Sequence, residues 1–470
     1  MTTAISRHEP SPRATLILLG LILLAAALLR LPTLGAQSFW TDEGATWIQV
    51  SGSLADVIAR TAADNYPPLF NLLAWACVQA FGEAEWAMRL PSALLGIANV
   101  WLLYALGVRL GGRTAGLLAA ALLTLSGFHL WYSQEARAYT LLACTATAHA
   151  FTIIAFLDNR GRRNALLAFL AGTALVYSHP FGALTWIAIG LGAAGVFAQR
   201  RDSKGFAVLV GLSIAIGLAF LPWALVLLGR AKAIADTGFW IPQVSPSVVW
   251  SAVHRATDYL VIPFAAVACL VFARRTPAVP QSRDAIAILL AWSVLPLVMA
   301  IIASILVEPV VHQRYLIGSL PALILLASLG IASAVRSAPA ALLASAAVLL
   351  LTILTLAFVS PANRADWRSA AAYVKSSVTP TDCIILADTA FLKDNQNLAV
   401  WNYYFRSAGA CLLGSGEVEL LSGPAFVVTS TRDSEQTTSL LDRLTEALGP
   451  PLEQHFYRTV VRRFAPNPGK

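Results

Sequence analysis

Long apolar runs broken by short polar turns make up most of this chain. Runs of roughly 15–23 apolar residues, the length a helix needs to cross a bilayer, begin near residues 14, 90, 114, 138, 164, 180, 205, 259, 284, 315 and 338, which predicts eleven crossings. The turns alternate in character. Arg109/Arg113, Arg160/Arg162/Arg163, Arg200/Arg201/Lys204, Arg274/Arg275/Arg283 and Arg336 fall on alternate turns, and such basic turns mark the cytoplasmic side. The others hold Glu135 and Arg137, Ser178-His179-Pro180, the stretch 229–258, and Glu308 to Arg314. The first run follows Arg7 and Arg13 and meets no small-residue cleavage site before Arg30-Leu31-Pro32. It reads as an uncleaved signal anchor with a cytoplasmic N-terminus.

The apolar stretch Pro67 to Phe81 disturbs this order, because counting it as a crossing would put every later arginine cluster on the wrong side. It is short, opens on two prolines and carries Asn71 and Gln79, as interfacial segments do. Residues 31–89 are therefore expected to form one external loop, with helices around 40–50 and 53–64 and a membrane-parallel helix at 68–81. An odd number of crossings then places the C-terminus outside. From about Ser360 the apolar excess ends. Strand-like runs at 384–387, 426–428 and 456–461 alternate with helix-like stretches at 390–406 and 434–447, which predicts a small α/β layer. The fold class expected is an all-α polytopic membrane domain, residues 1–359, followed by a C-terminal α/β periplasmic domain, residues 360–470.

Composition agrees with a lipid-solvated chain. The 470 residues are 57% hydrophobic and 12% charged, about half the charge of an average soluble protein, and mean hydropathy is +0.67. The net charge of +8 resides mostly in the short tethers, so it argues for membrane topology and against nucleic acid as a partner. Cys77, Cys144 and Cys269 lie in apolar runs and read as small buried hydrophobes. Cys383 and Cys411 lie in the polar C-terminal region, where a bridge is open to them if it faces an oxidising compartment. The chain has no CxxC and no HExxH, so no metal is expected.

Candidate chemistry collects on the external turns, in four places. Asp42 and Glu43 follow the first crossing in Trp40-Thr41-Asp42-Glu43-Gly44. His129 to Tyr139 contains Trp131, Glu135 and Arg137. Tyr177-Ser178-His179-Pro180 is the third, and Glu308 to Tyr315, with His312 and Arg314, is the fourth. All face one compartment under the topology above, so one cavity can collect them. Acidic residues also suit a helix N-terminus, and His149, well inside a crossing, reads as a buried hydrogen-bonding group. Moving a sugar from a phosphate carrier to an alcohol needs a base for the hydroxyl proton and positive charge where the phosphate leaves. No Asp-x-Asp motif is present, and an external site has no nucleotide sugars, so a lipid-phosphate donor fits. A flippase would instead show repeated halves and midplane charges. An O-antigen ligase would carry its functional residues in a long late loop, whereas 307–314 is short.

The order Arg30-Leu31-Pro32, Trp40-Thr41-Asp42-Glu43, Asn65-Tyr66-Pro67-Pro68-Leu69, Arg89-Leu90-Pro91-Ser92, Trp131-Tyr132-Ser133-Gln134-Glu135-Ala136-Arg137 and Arg314-Tyr315 resembles the GT-C superfamily of membrane glycosyltransferases over about residues 13–340. Within it the chain looks most like the bacterial branch that includes the rhizobial lipopolysaccharide galacturonosyltransferases. Protein O-mannosyltransferases and the lipid A aminoarabinose transferase are more distant. The resemblance implies inverting transfer from a polyprenyl-phosphate sugar at the periplasmic face of the inner membrane, to a cell-envelope acceptor and with no cofactor. It implies Asp42 as catalytic base with Glu43 beside it, Glu135 and Arg137 lining the same cavity, and Arg314 on the donor phosphate, with Tyr66, His179, His312 and Tyr315 near it. The aminoarabinose transferases carry a lysine where this chain has Tyr66, which counts against an aminoarabinosyl donor.

Overall fold

The apolar runs fold as helices. The computed structural model describes residues 9–64, 66–237, 241–258, 280–334, 364–379, 382–386, 396–405, 411–414, 424–430 and 435–465. Its helices are α1 (Pro12–Arg30), α2 (Thr41–Val50), α3 (Leu54–Ala62), α4 (Leu69–Phe81), α5 (Glu85–Gly111), α6 (Arg113–Leu125), α7 (Gly127–Tyr132), α8 (Tyr139–Asp158), α9 (Arg162–Val176), α10 (Pro180–Gln199), α11 (Ser203–Thr237), α12 (Pro246–Ala256), α13 (Pro280–Leu306), α14 (Leu320–Ala334), α15 (Trp367–Ser377), α16 (Gln396–Phe405) and α17 (Glu435–Leu448). Two compact units result. The first holds Met1–Pro32, Ser53–Ala80 and Arg89–Val359; the second holds Thr33–Gly52, Phe81–Met88 and Ser360–Lys470. The second unit thus takes in two pieces of the first loop besides the C-terminal region.

Among the described residues, six helices are long and apolar enough to cross a membrane: α1, α5, α8, α10 and the apolar parts of α11 and α13. The crossings expected from near 259 and 338 lie outside the described residues. The run from near 315 becomes helical only at Leu320, because Gln313–Gly318 forms a 3₁₀ turn first. Helix α8 is the axis of the first unit, with 72% of its apolar window buried inside the protein, against 11% for α1. Small residues let its neighbours close in. A Cβ on Gly192 of α10 would stand 2.9 Å from Ile288 Cα of α13, and one on Gly107 of α5 2.8 Å from Gly116 Cα of α6. His149 of α8 is buried.

The arginine-bearing helix ends share one end of this bundle. Arg109 pairs with Asp158, Arg160 with Asp202, and Arg200 with Asp284. Just before α1, Glu9 accepts the Arg113 N–H at 2.8 Å and Pro10 O accepts from its guanidinium at 3.1 Å. So α1 starts where α5 ends, and the segment between them leaves and re-enters at the opposite end. Helix α4 therefore makes no net crossing. Its 13 residues span about 20 Å, short of the ~30 Å hydrocarbon core. A reporter fused after Arg109 is expected to read cytoplasmic; periplasmic activity there would overturn this threading.

In the second unit, a five-stranded sheet has the order β2-β1-β3-β5-β4, with β1 (Cys383–Leu386), β2 (Cys411–Gly414), β3 (Ala425–Ser430), β4 (Leu452–Phe456) and β5 (Thr459–Phe464). β1 lies parallel to β2 and β3; β5 runs antiparallel to β3 and β4. The alternating run 456–461, expected as one strand, is instead the bend of a hairpin. Arg458 takes a positive φ of 52° there, which reverses the chain between β4 and β5. Cys383 is disulfide-bonded, and its register partner on β2 is Cys411.

Candidate active site

Helix α10 begins at the Ser178-His179-Pro180 turn, and His179 is its N-cap: Nδ1 accepts the Phe181 N–H at 3.0 Å. That bond fixes the tautomer, leaving the proton on Nε2. The ring is 1% exposed, and Nε2 has no hydrogen-bond partner among the described residues. Around it stand Tyr66, Tyr139 and Tyr315, with ring centroids 5.1, 5.9 and 5.1 Å away. Burial, then the charges of Arg137 and Arg314, hold its pKa well below the ordinary histidine value. His179 is thus a neutral N–H donor at physiological pH, in a positive field.

Both arginines rest on these aromatic faces. The Arg137 guanidinium lies 4.5 Å from the Tyr66 ring centroid, and that of Arg314 lies 5.8 Å from Tyr139 and 5.5 Å from Tyr315. Such stacking orients a guanidinium. Tyr66 and Tyr315 bring their hydroxyls to 3.5 Å. His312 caps the 3₁₀ turn that carries Arg314 and Tyr315, accepting the Arg314 N–H at 3.4 Å. Glu135 is buried; its Oε1 accepts from Trp131 Nε1 at 2.7 Å and its backbone carbonyl from the Arg137 N–H at 2.8 Å. Tyr66, Arg137, His179, His312, Arg314 and Tyr315 therefore form one cluster in the first unit, with Glu135 shaping the turn that bears Arg137.

The motifs around this cluster act as struts. Arg30, fully buried at the end of α1, donates to Ser133 Oγ at 3.2 Å, to the Leu123 and Thr124 carbonyls, and to His129 Nδ1 at 3.1 Å. A guanidinium only donates, so His129 Nδ1 accepts and Nε2 carries the proton. Asn99 meets that nitrogen at 3.4 Å, and turning its amide over lets the otherwise unsatisfied Asn99 Oδ1 take the proton. Ser92, next to Pro91, donates to Arg137 O at 3.1 Å and accepts from Thr140 at 3.0 Å. Gln134 reaches Leu29 O at 3.0 Å. Asp258, which sequence reasoning did not single out, accepts from Ser126 Oγ at 2.5 Å and Phe128 N at 2.8 Å; burial pushes its pKa up to about 6.

Two expected results follow from this geometry. Arg30→Ala strands several buried acceptors at once and should cost roughly 2–4 kcal/mol, read as a lowered unfolding temperature in detergent. His179→Asn keeps an N-cap acceptor but loses the Nε2–H. It should raise the apparent KM for a phosphate-bearing donor about 10–100-fold, the loss of one hydrogen bond to a charged group, with little change in thermal stability.

Asp42 and Glu43 belong to the second unit, in the first turn of α2. Asp42 is half-buried, and its backbone carbonyl accepts from Thr46 Oγ1 at 3.1 Å. Glu43 is fully buried. Its Oε2 takes the Trp40 N–H at 3.4 Å and pairs with Arg364 at 2.7 Å. Arg364 is a further residue that sequence reading missed, since it lies 321 positions away with no local signal. No three His, Cys, Asp or Glu come together as a metal site among the described residues.

The fold of this multi-pass helical bundle is similar to those of membrane glycosyltransferases of known structure. A sequence model described as dolichyl-phosphate-mannose-protein mannosyltransferase matches residues 65–225. ArnT from Cupriavidus metallidurans, in a crystal structure bound to undecaprenyl phosphate, has a TM-score of 0.62 at 14% identity, covering 94% of this chain and 97% of that one. Archaeoglobus fulgidus AglB, an oligosaccharyltransferase in complex with an inhibitory peptide and a dolichol-phosphate, has a TM-score of 0.57 at 12% identity over 88% of this chain and 69% of that one. The mycobacterial arabinofuranosyltransferase AftD has a TM-score of 0.54 at 15% identity over 98% of this chain but 40% of its own. No curated protein sequence matches. At these identities the likeness is one of fold.

Proposed function

We propose that this protein is an inverting glycosyltransferase that moves a sugar from a polyprenyl-phosphate carrier to a hydroxyl of a cell-envelope acceptor. The observation that carries the proposal is the cluster itself: two stacked guanidiniums beside a neutral histidine N–H, a donor set suited to a lipid-borne phosphate. That ArnT binds undecaprenyl phosphate and AglB a dolichol-phosphate supports this choice of ligand.

In this reading a base accepts the acceptor's hydroxyl proton as that oxygen bonds to the anomeric carbon, a role the motif likeness gives to Asp42. The bond from that carbon to the phosphate oxygen breaks on the opposite face, so configuration inverts. Polyprenyl phosphate leaves as an anion, its gathering charge met by Arg137 and Arg314. Phosphate is a good leaving group, so no general acid and no cofactor are invoked. The disulfide at Cys383 supports an oxidising compartment for the C-terminal region, hence the periplasmic face of a bacterial inner membrane. The motif likeness to the galacturonosyltransferase branch points to a lipopolysaccharide acceptor and to a sugar other than aminoarabinose; Tyr66, seated under Arg137, fills the lysine position.

The test is transfer of label from a polyprenyl-phosphate sugar to membrane acceptors in proteoliposomes. Movement of the labelled lipid across the bilayer without transfer would establish a flippase instead.

A further inference from the structure

The C-terminal region of the second unit grips the segment that delivers Asp42, and the grip is made by charged and polar side chains. Arg364 Nη1 meets Glu43 Oε2 at 2.7 Å, with the two side chains 9% and 0% exposed. The Arg368 guanidinium donates to Gly35 O at 2.9 Å and Gln37 O at 3.3 Å, and pairs with Glu85 at 2.8 Å; its own N–H reaches Ser38 Oγ at 3.1 Å. Tyr404 OH accepts the Phe39 N–H at 2.8 Å and donates to Glu85 Oε1 at 2.8 Å. Burial and the Glu85 carboxylate push the Tyr404 phenol up, so it stays a donor. Tyr403 packs on Phe39 and Trp47, with centroids 4.8 and 5.4 Å away, and donates to Glu83 O at 2.9 Å.

Residues 35, 37, 38 and 39 lead directly into the first turn of α2. Polar contacts to three backbone groups (Gly35 O, Gln37 O and Phe39 N) and to the Ser38 hydroxyl are more than a docking surface needs. They fix the direction in which α2 starts, and thereby the direction of the side chain at Asp42. Glu43, the next residue in that turn, is fully buried and engages Trp40 N and Arg364, while Asp42 is half-exposed.

We propose that Glu43 and Arg364 form a positioning pair rather than catalytic groups. By this pair the C-terminal domain sets the orientation of the base, and the proposal rests on Asp42 being that base. A buried carboxylate left without its arginine is strongly unfavourable, whereas replacing both partners by neutral groups of similar size often is not. A small displacement of a reacting group can cost two orders of magnitude in rate.

The experiment uses the full-length protein in proteoliposomes, with kcat and donor KM measured separately. Arg364→Met should lower kcat by about 10–100-fold and leave donor KM within about threefold of wild type. Combining it with Glu43→Gln, so that no charge is stranded, should recover kcat to within about tenfold of wild type. A double variant that is folded, by its unfolding temperature in detergent, and yet as inactive as Asp42→Asn overturns the proposal, because Glu43 then acts in the chemistry. Unchanged kcat in Arg364→Met overturns it as well. Should Arg364→Met alone not accumulate in the membrane, the double variant still decides the matter. Activity persisting in Asp42→Asn would sink the assignment of the base, a result separate from the ratio between the single and double variants.

Discussion

Asp42→Asn is expected to lower the rate of sugar transfer by about 10²–10⁴-fold, the range attributable to a positioned general base, and to leave the protein folded and inserted. The substitution is nearly isosteric. The Asp42 backbone carbonyl accepts from Thr46 Oγ1, and that bond survives. The favourable placement of a negative charge in the first turn of α2 is lost, which costs only about 0.3–1 kcal/mol. Rate and stability should therefore separate: kcat collapses while the unfolding temperature moves by a few degrees. Measuring both on one preparation checks the prediction, and full transfer activity in the Asn variant would remove Asp42 from the mechanism.

Arg314→Ala comes next in size. A guanidinium facing a leaving phosphate gains interaction energy as negative charge builds, so its loss should lower kcat by about 10²–10³-fold. Ground-state binding of the carrier suffers as well. Arg314→Lys keeps the charge but not the planar fork that stacks on Tyr139 and Tyr315, so it should recover only part of the loss. A simple contact to lipid headgroups would behave differently, with lysine restoring full activity. Pre-steady-state transfer from a labelled polyprenyl-phosphate sugar separates the two, since it reads the chemical step apart from binding.

How much of this could be read from the sequence depended on the range of the interaction. The first-loop helices were legible because periodicity and length are local, and α2, α3 and α4 lie where the pattern places them. The basic turns were legible because charge asymmetry survives without contacts. The residues of the cation cluster were legible as polar groups at the ends of apolar runs. What stayed hidden was pairing over long separations. Arg364 with Glu43, Tyr404 with Phe39 and Asp258 with Ser126 join positions more than a hundred residues apart. A local pattern carries no trace of such partners. The roles of Arg30 and Ser92 were hidden for the same reason: each motif could be quoted, but only the fold shows that they brace the turn carrying Arg137. The hairpin at 456–461 was missed because alternation of side chains looks the same on either side of a tight bend.

The buried arginine at the end of α1 has a consequence for biogenesis. Its partners Leu123 O, His129 and Ser133 lie 93 to 103 positions further along the chain. At a synthesis rate of about 5–20 residues per second, roughly 5–20 seconds pass before they exist. Until then Arg30 must stay solvated at the headgroup level, holding the first helix slightly out of its final depth. The strut that braces the site thus also times assembly: α1 can settle only after α6 and α7 have been made, and a chain truncated before Ser133 is expected to leave Arg30 accessible to water.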